Sequence, residues 1–124
     1  MRSDKNQSER VCSEEVYVVG FGRTPIGSFQ GSLARLSAVQ LMSTCVEQIF
    51  ERSSLLHLKP LVQELVVGNV CQAGLKQAPA NQVARLAGLP SSTNCSLVNK
   101  VCASGMKAIT QAVQSIQLGD AKVF

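Results

Sequence analysis

Residues 95–118, CSLVNKVCASGMKAITQAVQSIQL, constrain the fold more than any other stretch of the chain. A short alternating run, with Cys95, Leu97 and Asn99 on one side and Ser96 and Val98 on the other, has the period of a strand. It leads straight into a segment with apolar residues at Met106, Ile109, Val113 and Ile116, the period of a helix expected over Ala103 to Leu118. Gly119 follows as a C-cap. Cys102 falls where strand becomes helix. The first backbone N–H groups of a helix have no partner within it, and the helix dipole places partial positive charge there, so a thiolate at such a site is stabilised. Ala103, Ser104 and Gly105 are small enough to let a substrate approach the sulfur. The N–H of Cys102 itself is expected to point at an oxyanion formed by attack on a carbonyl. The plain alternative is an unpaired cysteine acting as a small, inert hydrophobe.

The rest of the chain implies βαβ units. Val16–Gly20 is a continuous β-branched run that suits a strand covered on both faces. Ser37 and Gln40 have capping-box spacing ahead of a helical stripe at Met42, Cys45, Val46, Ile49 and Phe50. Leu65–Val70 reads as a second buried strand, and Pro79, Gly88 and Pro90 punctuate a short helix. Val123 and Phe124 read as the opening of another strand. Strands alternating with helices predict an α/β fold with a mostly parallel sheet. Gly20-Phe21-Gly22 begins like a dinucleotide-binding turn, but Pro25 stands at the third glycine and no acidic residue follows about twenty positions on, so that reading is rejected.

Composition narrows the function. Twelve basic and eight acidic residues give a net charge of +4, spread along 124 residues, which argues against a nucleic-acid groove and suits an anionic substrate. Five cysteines, at 12, 45, 71, 95 and 102, form no CxxC pair, which argues against a disulfide framework or a zinc site and for a reducing compartment. No apolar run approaches membrane-spanning length. Residues 1–15 are polar and carry acids, unlike a secretory signal or a basic transit peptide, and are expected to form a solvated tail, which favours the cytoplasm over mitochondria or peroxisomes. The single histidine, His57, lies in a connecting stretch with nothing to orient it and is expected to be a solvated loop residue.

Asn99-Lys100-Val101-Cys102-Ala103-Ser104-Gly105-Met106-Lys107-Ala108 resembles the nucleophile motif of the thiolases, in particular their acetoacetyl-CoA thiolase (acetyl-CoA C-acetyltransferase) branch. Arg23-Thr24-Pro25-Ile26-Gly27 resembles the loop after the family's first strand, and the stretch from Gly68-Asn69-Val70 to Gln82 is similar to its GNV…GQAP.RQ segment. Lys76 and Asn81 stand where related sequences have Gly and Arg, and since that segment contributes to subunit contacts in the family, the departures bear on assembly more than on chemistry. The resemblance implies that residues 16–124 form the first part of a thiolase N-terminal domain, the start of a layered αβαβα fold. It implies that Cys102 is acylated by a thioester, with Asn99, Ser104 and Gly105 shaping its turn. The reaction implied is reversible condensation of two acetyl-CoA to acetoacetyl-CoA, or thiolysis of a 3-ketoacyl-CoA, in a homo-oligomer and with no metal or organic cofactor.

Thiolases also use a histidine from a GHP motif, a second cysteine from a C.GGG motif and an NEAF motif, and none of these strings occurs in the sequence. Residues 1–124 by themselves are therefore expected to lack activity. Two alternatives stand beside the main reading. One is a ketoacyl-synthase-like condensing domain. The other is a non-catalytic fragment or isoform that only associates with a full-length subunit.

Overall fold

A computed structural model describes residues 15–124, so the polar tail, apart from Glu15, lies outside the described residues. The elements run α1 (Ala38–Arg52), a 3-10 helix (Leu56–Leu61), β1 (Glu64–Gly68), α2 (Pro79–Leu86), β2 (Asn94–Val98) and α3 (Ser104–Leu118). The two strands are parallel, in the register Glu64 to Asn94 through Gly68 to Val98. The α/β class and parallel pairing expected from the sequence are thus present.

The pleat sends alternate residues of each strand to opposite faces. Leu65 and Cys95 pack against a core of Val39, Val46, Val62, Val83, Ala84, Ala87 and Leu89, contributed largely by α1 and α2. On the other face α3 crosses β1 and β2. The sheet is therefore covered by α1 and α2 on one side and by α3 on the other.

Local sequence explains where the elements begin and end. Ser37 caps α1, its hydroxyl accepting from the Gln40 N–H at 3.2 Å while the Gln40 side chain accepts from the Ser37 N–H at 2.9 Å. Pro79 occupies the first turn of α2, where a missing N–H costs nothing. Gly119 closes α3 at φ 81°. Thr93, buried ahead of β2, donates its hydroxyl to the Val62 carbonyl at 2.9 Å and so joins the two strand entrances.

Three expectations are corrected. Val16–Gly20 is not a strand: no ladder hydrogen bond reaches it among the described residues, and Val18 is 80% exposed. A β-branched run favours extended backbone, but pairing needs a neighbouring edge, and this segment instead lies beside α1, with Gly20 and Gly22 against Ile49. β1 ends at Gly68, leaving Asn69 and Val70 in the loop. Val123 and Phe124 form no strand, although the Val123 carbonyl accepts from the Gln63 N–H at 3.0 Å.

The apolar stripe expected on α3 also meets the sheet differently. Ser104 and Ala108 are buried, while Met106 and Ile109 are 71% and 63% exposed. Small side chains let the helix axis come close to β1, and the larger residues are turned outward. Cys45, on the apolar stripe of α1, is half-buried.

Two stability predictions follow from this packing. Val83 is 1% exposed, and Val83→Ala is expected to cost about 2–3 kcal/mol in urea unfolding. Lys76 adopts φ 64°, a left-handed conformation that suits the glycine of related sequences. Lys76→Gly is expected to stabilise by about 0.5 kcal/mol, the strain relieved exceeding the backbone entropy lost. An equal gain from Lys76→Ala would show that charge, not backbone, is the cause.

Candidate active site

The junction between β2 and α3 is a tight turn whose hydrogen bonds converge on Val101. Its φ is 48°, an unusual conformation for a β-branched residue and one that costs on the order of 1–3 kcal/mol unless its surroundings hold it. Both of its backbone groups are held. The Val101 N–H donates to Asn99 Oδ1 at 3.0 Å. The Val101 carbonyl accepts from the Ser104 hydroxyl at 2.6 Å and from the Ser104 N–H at 3.1 Å. Ser104 Oγ accepts in turn from the Lys100 N–H at 2.9 Å. Ser104 is 5% exposed, so these bonds are sheltered from competing water. Asn99 also reaches across to β1's exit loop, its amide donating to the Val70 carbonyl at 3.5 Å.

The turn leaves Cys102 exposed. Cys102 comes just before Ala103, the N-cap residue, and α3 starts at Ser104. The Ala103 N–H donates to the Lys100 carbonyl at 3.0 Å, whereas those of Cys102, Gly105 and Met106 meet no acceptor among the described residues. Gly105 faces open space: a Cβ built on it would meet nothing within 4 Å. No acidic residue occupies the first turn of α3, and Lys100 and Lys107 stand on either side of it in sequence. An exposed sulfur beside unpaired N–H groups, with no carboxylate in that turn, is a place where an anionic acyl donor can approach and where oxyanion charge can be met by backbone dipoles.

The other thiols differ. Cys95 is half-buried, its Sγ donating to the Thr93 carbonyl at 3.4 Å, and burial pushes its thiol up despite the opposing Arg85 guanidinium. That environment favours the protonated, less nucleophilic form of the thiol. Cys71 is exposed on the loop after β1, and Cys12 lies outside the described residues. His57 is exposed in the 3-10 helix, with Nδ1 3.2 Å from the Ser54 carbonyl oxygen, and that helix packs against α1.

On the α1 side of the sheet, a cleft of about 370 Å³ is lined by Arg23, Thr24, Val39, Cys45, Val67 and Asn69, among others. Asn69 Oδ1 is buried without a partner. A larger trough of about 680 Å³ runs along α1 between Phe21 and Arg52. Neither includes Cys102 in its lining.

The structure thus brings together Asn99, Cys102, Ser104 and Gly105, the four residues singled out from sequence. Sequence reasoning missed the strain at Val101, which carries no mark in the residue type. It also missed Gly68, whose place at the end of a strand is a signal of close backbone approach.

The fold has known counterparts. Residues 16–124 match the model of the thiolase N-terminal domain. Over 113 residues the chain is 52% identical to Acetyl-CoA acetyltransferase 2 of Arabidopsis thaliana, a match covering 90% of this chain and 27% of that protein. It is 48% identical to the mitochondrial acetyl-CoA acetyltransferase of Homo sapiens, covering 90% and 26%. The crystal structure of Acat5 thiolase from Ascaris suum in complex with coenzyme A superposes with a TM-score of 0.82 at 41% identity, covering 87% of this chain and 28% of that one. The chain therefore spans about a quarter of the length of the relatives it matches. No helix among the described residues is long and apolar enough to cross a membrane. With the domain match running from residue 16 to residue 124, the chain belongs to the thiolase family.

Proposed function

We propose that residues 16–124 supply the nucleophile of an acetyl-CoA C-acetyltransferase, with Cys102 as the residue that carries the acyl group. The observation that carries the reading is the exposed Cys102 on a turn braced by Asn99 and Ser104, beside open N–H groups of α3. The names of the relatives support the choice of acetyl-CoA as acyl donor.

In the proposed reaction the Cys102 thiolate attacks the thioester carbonyl, the oxyanion forms near the Cys102 N–H, and the carbon–sulfur bond to coenzyme A breaks to release its thiolate. A second acetyl-CoA, having lost an α-proton, attacks the acyl carbon and frees Cys102 as acetoacetyl-CoA forms. Thiolysis of a 3-ketoacyl-CoA is the same sequence reversed. Asn99 and Ser104 act by holding Val101, and Gly105 by leaving room for the substrate. The proton transfers fall to the histidine and second cysteine of the family's GHP and C.GGG motifs. Each step exchanges one bond to the acyl carbon for another with no net change of oxidation state, so the reading calls for no redox cofactor, and it assigns no metal.

We extend the reading to a homo-oligomer in a reducing compartment, cytoplasmic by preference. The outer edge of the two-stranded sheet and the exposed apolar side chains of α3 support association, and the free thiols Cys45, Cys71, Cys95 and Cys102 support the reducing setting.

Two experiments test the function. Residues 1–124 by themselves are expected to show no thiolysis of acetoacetyl-CoA, and turnover abolished by Cys102→Ser would contradict this. In a chain that joins residues 16–124 to the family's histidine and second cysteine, Cys102→Ser is expected to lower kcat by about 10⁴-fold or more. Acylation of Cys102 by a carrier-protein thioester, and not by acetyl-CoA, would replace this reading with that of a ketoacyl-synthase-like domain.

A further inference from the structure

We propose that Gly68 is a positioning residue for the nucleophile turn: because it has no side chain, the first turn of α3 can rest on the end of β1, and that seat fixes where Cys102 stands. The inference rests on the reading of Cys102 as the reactive thiol.

Gly68 is the last residue of β1 and pairs in register with Val98, the last residue of β2. The next residue locks that register, the Asn69 N–H donating to the Val98 carbonyl at 3.0 Å. A Cβ built on Gly68 would lie 2.6 Å from the Ser104 carbonyl carbon, 2.7 Å from the Gly105 nitrogen and 2.8 Å from the Ser104 carbonyl oxygen. All three are backbone atoms, so no change of rotamer relieves the overlap. Either the helix or the strand must shift. The strand is tied to β2 along its whole length, which leaves the N-terminus of α3 to move.

The backbone conformation of Gly68 does not itself call for glycine. Positive φ among the described glycines occurs at Gly74, Gly88 and Gly119, not at Gly68. The requirement is for space, and it falls on the residue that braces the turn. Ser104 holds the Lys100 N–H and the Val101 carbonyl through its hydroxyl, so a shift of Ser104 passes directly to the two residues that precede Cys102. It also moves the unpaired N–H groups of Gly105 and Met106 relative to the sulfur.

The test is competitive alkylation of the native protein with limiting iodoacetamide, using N-acetylcysteine as the reference thiol in the same tube. Modification of Cys102 is read by peptide mass at neutral pH. Gly68→Ala is expected to lower the Cys102 rate relative to the reference by about threefold at neutral pH, the scale of a charge displaced from a helix end. The far-UV circular dichroism of Gly68→Ala should be that of the wild type. Val83→Ala, which destabilises the core on the opposite face, should leave the relative rate unchanged. A folded Gly68→Ala protein with Cys102 reacting as in the wild type overturns the proposal. If Gly68→Ala does not fold, Ala108→Val decides, because it presses on the same buried face of α3 one turn on. A relative rate lowered about twofold supports the seat, and an unchanged rate overturns it. The readout needs no acyl transfer. Should acetyl-CoA fail to acylate Cys102 while its alkylation responds to Gly68→Ala, the functional reading falls and the positioning role stands. The reverse pattern removes only the latter.

Discussion

A valine in the left-handed region stays there only if its backbone groups are held, and at Val101 a side chain takes each of them. Asn99 accepts from its N–H, and Ser104 donates to its carbonyl. The reversal of direction produced at Val101 turns Cys102 out of the sheet and into the open, immediately ahead of α3. Backbone strain of this kind costs stability and persists where the surroundings over-determine it. Here the surroundings are the β1–β2 register on one side and the buried Ser104 hydroxyl on the other. The turn that carries Cys102 is thus a consequence of the sheet, not a loop appended to it.

The two faces of the sheet are sealed to different degrees. Towards α1 and α2 the side chains of Val39, Val46, Val62, Val83 and Leu89 form a continuous apolar core. Towards α3 the contact is close but narrow, made by Ser104 and Ala108, and the larger residues Met106 and Ile109 point to solvent. Apolar surface also remains along Tyr17, Val18, Val19 and Phe21. Exposed apolar side chains thus stand in two separate places, on a chain that spans about a quarter of the length of the relatives it matches.

Much of this was legible in the sequence because local rules and tertiary packing agree there. The Ser37–Gln40 capping box, Pro79 at the first turn of α2 and Gly119 at the end of α3 are each decided within a few residues. The strand-to-helix switch around Cys102 was legible for the same reason, and the NKVCASGMKA motif gave it a chemical meaning. What depended on distant partners was not legible. Val16–Gly20 has the composition of a buried strand, but composition does not supply the neighbouring edge that a strand needs. Likewise, the period of α3 marks an apolar stripe at Met106 and Ile109, yet the face that meets β1 is set by how closely two backbones approach at Gly68. The φ of Val101 is invisible for a further reason, since its cause lies in hydrogen bonds made by Asn99 and Ser104.

The most direct measurement of the central claim is to expose the natural protein to acetyl-CoA, quench it in acid and locate the acetyl group by peptide mass. A single acetyl thioester on the peptide containing Cys102 is the predicted result. Acetylation confined to Cys71, Lys100 or Lys107, or turnover with Cys102 never acylated, would contradict the account.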